Sequence, residues 1–94
     1  MIKASLGVEN ILKKYNIPYR KEVSDSKFYR FIYNVADIEG YALIYERDYL
    51  SYFTGVLDNE AVRCELNVEV LGTLYSFERM IQRKLGIPKE ECFR

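Results

Sequence analysis

The sequence contains no histidine. That absence removes the Ser-His-Asp and Cys-His nucleophile arrangements, together with the commonest metal ligand. Only two cysteines are present, Cys64 and Cys92, far apart in the chain. A zinc site wants four soft ligands at paired spacing, so no metal site is expected. Five scattered glycines cannot build a G-x-G-x-x-G or G-x-x-x-x-G-K-[ST] phosphate loop, and no D-x-[DN]-x-[DN]-G calcium loop occurs. No cofactor is expected.

An excess of charge of one sign is also lacking. Fourteen basic residues balance fourteen acidic ones, which argues against charge-driven binding to extended nucleic acid or an anionic membrane. The longest apolar runs are a few residues, far short of the ~20 that span a bilayer. Glu9 and Lys13 fall where a signal peptide needs an unbroken apolar stretch. No N-x-S/T site suggests secretion. A cytoplasmic chain with reduced thiols is the expectation.

Carboxylates remain as candidate acids and bases. Asp37 with Glu39, and Glu46 with Asp48, each form an i, i+2 pair. Both pairs fall at expected turns, where solvated carboxylates are ordinary, and no catalytic residue is assigned. Cys64 alternates with the inward positions of its segment and reads as a structural thiol. Cys92 has Glu90 and Glu91 beside it, which would raise its pKa rather than activate it.

What is present is enough to fold. Hydrophobic content of 49% against 30% charged residues is that of a globular chain, and 94 residues suit one domain spanning 1–94. Val8, Ile11, Leu12 and Tyr15 recur at helical spacing after Ser5, a plausible N-cap, while Asn16 and Pro18 end the pattern. A helix over about 5–15 follows. Five strand-like segments come next, over about 19–24, 27–35, 41–46, 49–57 and 61–70. Ala36–Gly40 reads as a five-residue hairpin loop, and Gly55 as a bulge or strand end. Residues 61–70 alternate apolar and polar, although Val62, Leu66, Val70 and Leu74 also suit a helix. Leu74, Phe77, Ile81 and Leu85 form a stripe over about 73–85, and Gly86 and Pro88 close it. The order is helix, antiparallel meander of four to five strands, helix: a two-layer α+β sandwich.

Seven of the nine tyrosines lie between residues 19 and 52. Alternation puts Tyr29, Phe31, Tyr33 and Val35 on one face of their strand and Phe28, Arg30, Ile32 and Asn34 on the other. The next strand divides into Tyr41, Leu43 and Tyr45 against Ala42, Ile44 and Glu46. The aromatic faces are expected to form the core, with Val23, Phe31, Val35, Leu43, Leu66 and Val68 in it. The opposite face then carries Phe28, Arg30, Ile32, Ile44 and Arg63, a mixed apolar and charged surface of the kind that marks a protein interface. With the faces exchanged, Tyr29, Tyr33, Tyr41 and Tyr45 could stack a nucleotide base while Arg20 or Arg47 contacts phosphate.

KFYRFIYN, residues 27–34, shares four of the seven specified positions of the RNA-recognition RNP1 pattern. It carries Phe28 and Arg30 where that pattern needs small residues, and the element order differs. Extended nucleic acid is therefore set aside. The leading expectation is a small non-catalytic protein-binding module, an inhibitor or accessory protein of the phage or mobile-element type acting through a sheet face or strand edge, with a homodimer as a further option. A nucleotide-binding or nucleotide-sequestering protein is the alternative.

Overall fold

The computed structural model describes residues 3–48 and 50–88. Expectations about Tyr49, and about Cys92 and the rest of the tail from 89, lie outside the described residues. Helix α1 spans Ala4–Lys14. Five strands follow, β1 (Tyr19–Ser24), β2 (Phe28–Val35), β3 (Ile38–Arg47), β4 (Leu50–Leu57) and β5 (Glu60–Leu66). A 3-10 turn, Asn67–Glu69, leads into α2, Val70–Leu85. The strands pair in chain order, every neighbour antiparallel. Both helices pack on one side of this meander, so the fold is the expected α+β sandwich.

Both helices end alike. Asn16 at φ 55° and Gly86 at φ 73° take the left-handed conformation. Ile17 N–H then reaches back to Leu12 O and Ile87 N–H to Gln82 O, each at 2.9 Å, closing Schellman motifs. Pro18 and Pro88 forbid another turn. The start of α1 departs from expectation. Lys3, not Ser5, is the N-cap and contributes no side-chain bond. Ser5 lies inside the first turn and donates from both its N–H and its Oγ, each at 2.9 Å, to the Glu46 carboxylate on β3. A carboxylate distant in sequence thus satisfies the helix N-terminus.

The β2–β3 connection decides the faces. It is a two-residue turn, Ala36-Asp37, both at positive φ, and not the five-residue loop expected. A five-residue loop would pair odd residues of β2 with odd residues of β3. The two-residue turn pairs odd with even, so Phe31 faces Ala42, Tyr29 faces Ile44 and Tyr33 faces Gly40. Residues directly opposite share a face, and the whole of β3 is inverted relative to expectation. Ala42 and Ile44 are fully buried, while Leu43 and Tyr41 are exposed.

Large rings on the covered face lie over positions with little side chain. Phe77 of α2 meets Phe53 edge-on at 5.9 Å and Tyr33 at 5.8 Å. A Cβ at Gly55 would stand 2.7 Å from the Phe77 ring, and one at Gly40 would stand 2.4 Å from Tyr33. Gly55 is therefore neither bulge nor strand end but the floor under Phe77. The Tyr33 hydroxyl shares its proton between the carbonyls of Tyr41 (2.8 Å) and Val56 (2.7 Å). Burial pushes this phenol well above its ordinary pKa, so it remains a donor.

Segment 61–70 divides between the two competing patterns. The strand holds to Leu66, where Glu69 Oε1 accepts from the N–H groups of Glu65 and Leu66 at 3.1 Å, and the chain then turns into α2. Leu66 (45% exposed) and Val68 (87%) consequently leave the expected core, as does Val23 at the sheet edge. Gly55→Ala should cost about 1–3 kcal/mol through overpacking against Phe77, read from urea midpoints.

Glu9 ties α1 to the edge strand. It accepts from Tyr19 OH at 2.6 Å and Lys21 Nζ at 3.0 Å. The Tyr19 bond, helped by Lys21, holds its carboxyl below the usual 4.5. As pH falls, the unfolded chain therefore takes up this proton first. The stabilisation is whole above about pH 4.5 and disappears as pH drops through the lower folded value. Tyr19→Phe should flatten the stability–pH curve in that acid window, measured by denaturation at stepped pH.

Candidate functional site: the open face of the sheet

The face away from the helices is built by the cross-strand register. Three rows cross it. The first runs Phe28, Tyr45, Tyr52; the second Glu22, Arg30, Leu43, Thr54, Arg63; the third Arg20, Ile32, Tyr41, Val56, Ala61. Phe28 and Tyr45 have ring centroids 5.2 Å apart, and Tyr45 and Tyr52 6.3 Å, a continuous cross-strand ladder. Phe28 is 51% exposed, Tyr52 46%, Tyr41 44% and Leu43 39%, all on one contiguous surface. Bulky β-strand formers were available to bury here, and no element of the described chain covers them.

Most of the charge lies at the two margins, with Glu39 at one end of β3 on the same face. On the β1–β2 side Arg30 Nε donates to Glu22 at 2.7 Å, and Arg20 lies 3.4 Å from the same carboxylate. The Arg30 bond holds the Glu22 carboxyl below its ordinary pKa. On the β5 side Arg63 lies 3.9 Å from Glu65. An apolar centre within a polar rim is the anatomy of a protein interface. Shallow depressions interrupt it. One of about 330 Å³ lies among Glu22, Phe28, Arg30 and Leu43. One of about 340 Å³ lies among Phe28, Leu43, Tyr45 and Tyr52. A larger one, about 700 Å³, lies among Arg20, Arg30, Ile32, Glu39, Tyr41 and Leu43.

Of the residues expected on this face, Phe28, Arg30, Ile32 and Arg63 stand on it together. Ile44 does not; the inverted β3 puts it in the core at 0% exposure. Sequence reading missed Leu43, Tyr52 and Val56. The right turn length would have found them, since each lies directly opposite an open-face neighbour. The alternative nucleotide set is divided. Tyr41, Tyr45 and Arg20 belong to the open face, whereas Tyr29 and the buried Tyr33 face the helices. Arg47 is exposed at the end of β3, beside a polar recess with Lys3, Tyr29 and Asp48. No single ligand can be stacked by all four tyrosines.

Elsewhere the polar groups serve the fold. Glu46 is committed to the α1 N-terminus. Cys64 is buried, its Sγ 3.7 Å from Ser51 O, and burial raises its pKa. Glu78, fully buried on α2, accepts from Lys14 Nζ at 2.8 Å and from Tyr15 OH, whose oxygen in turn accepts from Gln82 at 2.8 Å. Among the described residues no three His, Cys, Asp or Glu side chains are grouped to hold a metal ion. No described helix is long and apolar enough to cross a membrane.

Comparison with models of known protein families, with curated proteins and with solved structures found no match.

If the open face is surface and not core, truncations on the two faces should differ sharply. Leu43→Ala should cost about 1 kcal/mol or less in dilute protein, and Phe53→Ala about 3–5 kcal/mol. Chemical denaturation of both variants measures the contrast.

Proposed function

We propose that the chain is a cytoplasmic, non-catalytic protein-binding module, of the inhibitor or accessory kind, that works through the open face of its sheet. The observation carrying this reading is the contiguous aromatic and aliphatic surface across β2, β3 and β4, left uncovered by a fold that puts both helices on the other side. An exposed patch of this extent on a small domain is costly to leave in water, and such patches mark interaction sites. The tyrosines of its centre and the arginines at its margins are residue types that carry binding energy at interfaces. Their rings bury much area while losing few rotamers.

A nucleotide reading draws on the depression between Arg20, Arg30 and Tyr41, where a base could stack and a phosphate meet a guanidinium. It is the weaker reading, because Glu22 already engages both arginines and half of the tyrosines it calls on face the helices.

The triple variant Phe28→Ala/Arg30→Ala/Ile32→Ala should lose affinity capture of a partner from the native host while keeping its circular dichroism and cooperative melting. Retained capture would remove the face from consideration. A thermal-shift panel of mono-, di- and cyclic nucleotides should give a flat response; stabilisation that rises with ligand concentration would favour the nucleotide reading instead.

A further inference from the structure

We propose that the occupant of the open face is a second copy of this chain, packed sheet to sheet about a two-fold axis running parallel to β3. The inference rests on the interface reading above and names its partner.

The area suffices. Five strands about 4.8 Å apart, with about six residues along each, make a face of roughly 24 by 20 Å. That is roughly 500 Å² in plan, and protruding rings raise the accessible area toward the ~800 Å² per partner of a standard interface. Zero net charge means that two copies meet without overall repulsion.

The charge pattern then chooses the symmetry. A two-fold axis lying in the interface can run along the strands or across them. An axis across the strands, centred on the middle row, sets Glu22 on Glu22, Arg30 on Arg30 and Arg63 on Arg63 of the second copy. Like charges would then meet on a face losing its water. An axis along β3 keeps each row level but exchanges the edges, so β1 lies over β5 and β2 over β4. Glu22 then meets Arg63, Phe28 meets Tyr52 and Ile32 meets Val56, each pair occurring twice. Leu43 meets itself at the axis, as do Tyr41 and Tyr45, and Glu39 meets its own copy in a like-charge contact at the end of β3. Phe28, Tyr52, Ile32, Val56 and Leu43 all find apolar partners, Ala61 lies against Arg20 and Thr54 against Arg30, and the acidic position of the middle row finds a basic one. Parallel strands with a modest offset are the aligned class of sheet packing, at about 30°.

Sedimentation equilibrium of the full chain tests this. Wild type should show the mass of two chains at micromolar concentration. Leu43→Arg should sediment as one chain while retaining its circular dichroism, because the axis would hold two like charges. Arg63→Glu should weaken the dimer roughly tenfold, since two symmetry-related pairs are lost. Glu22→Arg combined with Arg63→Glu should recover most of that loss. A dimer that survives Leu43→Arg, or a double exchange that recovers nothing, overturns the proposed packing. A wild type of single-chain mass at every concentration overturns self-association. If the triple face variant then still loses a captured partner, the interface reading stands without the dimer; if capture is unaffected, both fall.

Discussion

Three positions with almost no side chain, Gly40, Ala42 and Gly55, make a trough along the middle of the covered sheet face. Phe77 and Tyr33 lie in it, and their rings approach closer than any added Cβ would allow. This ring-on-glycine contact sets how near α2 sits to the sheet and so how much apolar area the helix removes from water. It also accounts for which side of β3 is buried. The narrow residues must lie beneath the rings, so Tyr41, Leu43 and Tyr45 have only the other side left to them. The exposed aromatic face is thus the complement of a tightly packed one.

Helix α1 is held differently. Its buried stripe, Val8, Ile11 and Leu12, supplies area, but three carboxylates determine its position. Glu46 engages the first turn, Glu9 reaches the edge strand, and Glu78 meets Lys14 and Tyr15 at the far end. Each joins groups distant in sequence. Buried carboxylates are costly, and Glu78 Oε1 has no hydrogen-bond partner among the described residues, so these groups restrict α1 to few arrangements more than they add stability. Close packing against α2 completes the restriction, since a Cβ at Gly7 would stand 2.4 Å from Leu74.

Most of the element order was legible from periodicity and punctuation. Asn16-Ile17-Pro18 and Gly86-Ile87-Pro88 ended the helices where expected, because left-handed C-caps and proline act locally. The alternation in β2 was read correctly because it needs only its own residues. The error lay in joining β2 to β3. Gly40 looked like the end of a loop, but Ala36 and Asp37 take the turn, and alanine gives little sign that it will adopt a positive φ. Three residues of loop length reversed the parity, and with it the sides of Ile44 and Leu43. The ambiguity of 61–70 had a similar source. Both periods were truly present, one for each of the elements that meet near Asn67.

The sequence by itself determined the fold class, the number and order of elements and the absence of histidine-based chemistry, since these follow from local pattern and composition. It also grouped Phe28, Arg30 and Ile32 on one face of β2, without deciding whether that face is buried. Only the tertiary structure decided which residues of β3 and β4 join them. That choice depends on turn conformation and on which small residues lie beneath Phe77 and Tyr33, and both are settled by packing between segments far apart in the chain.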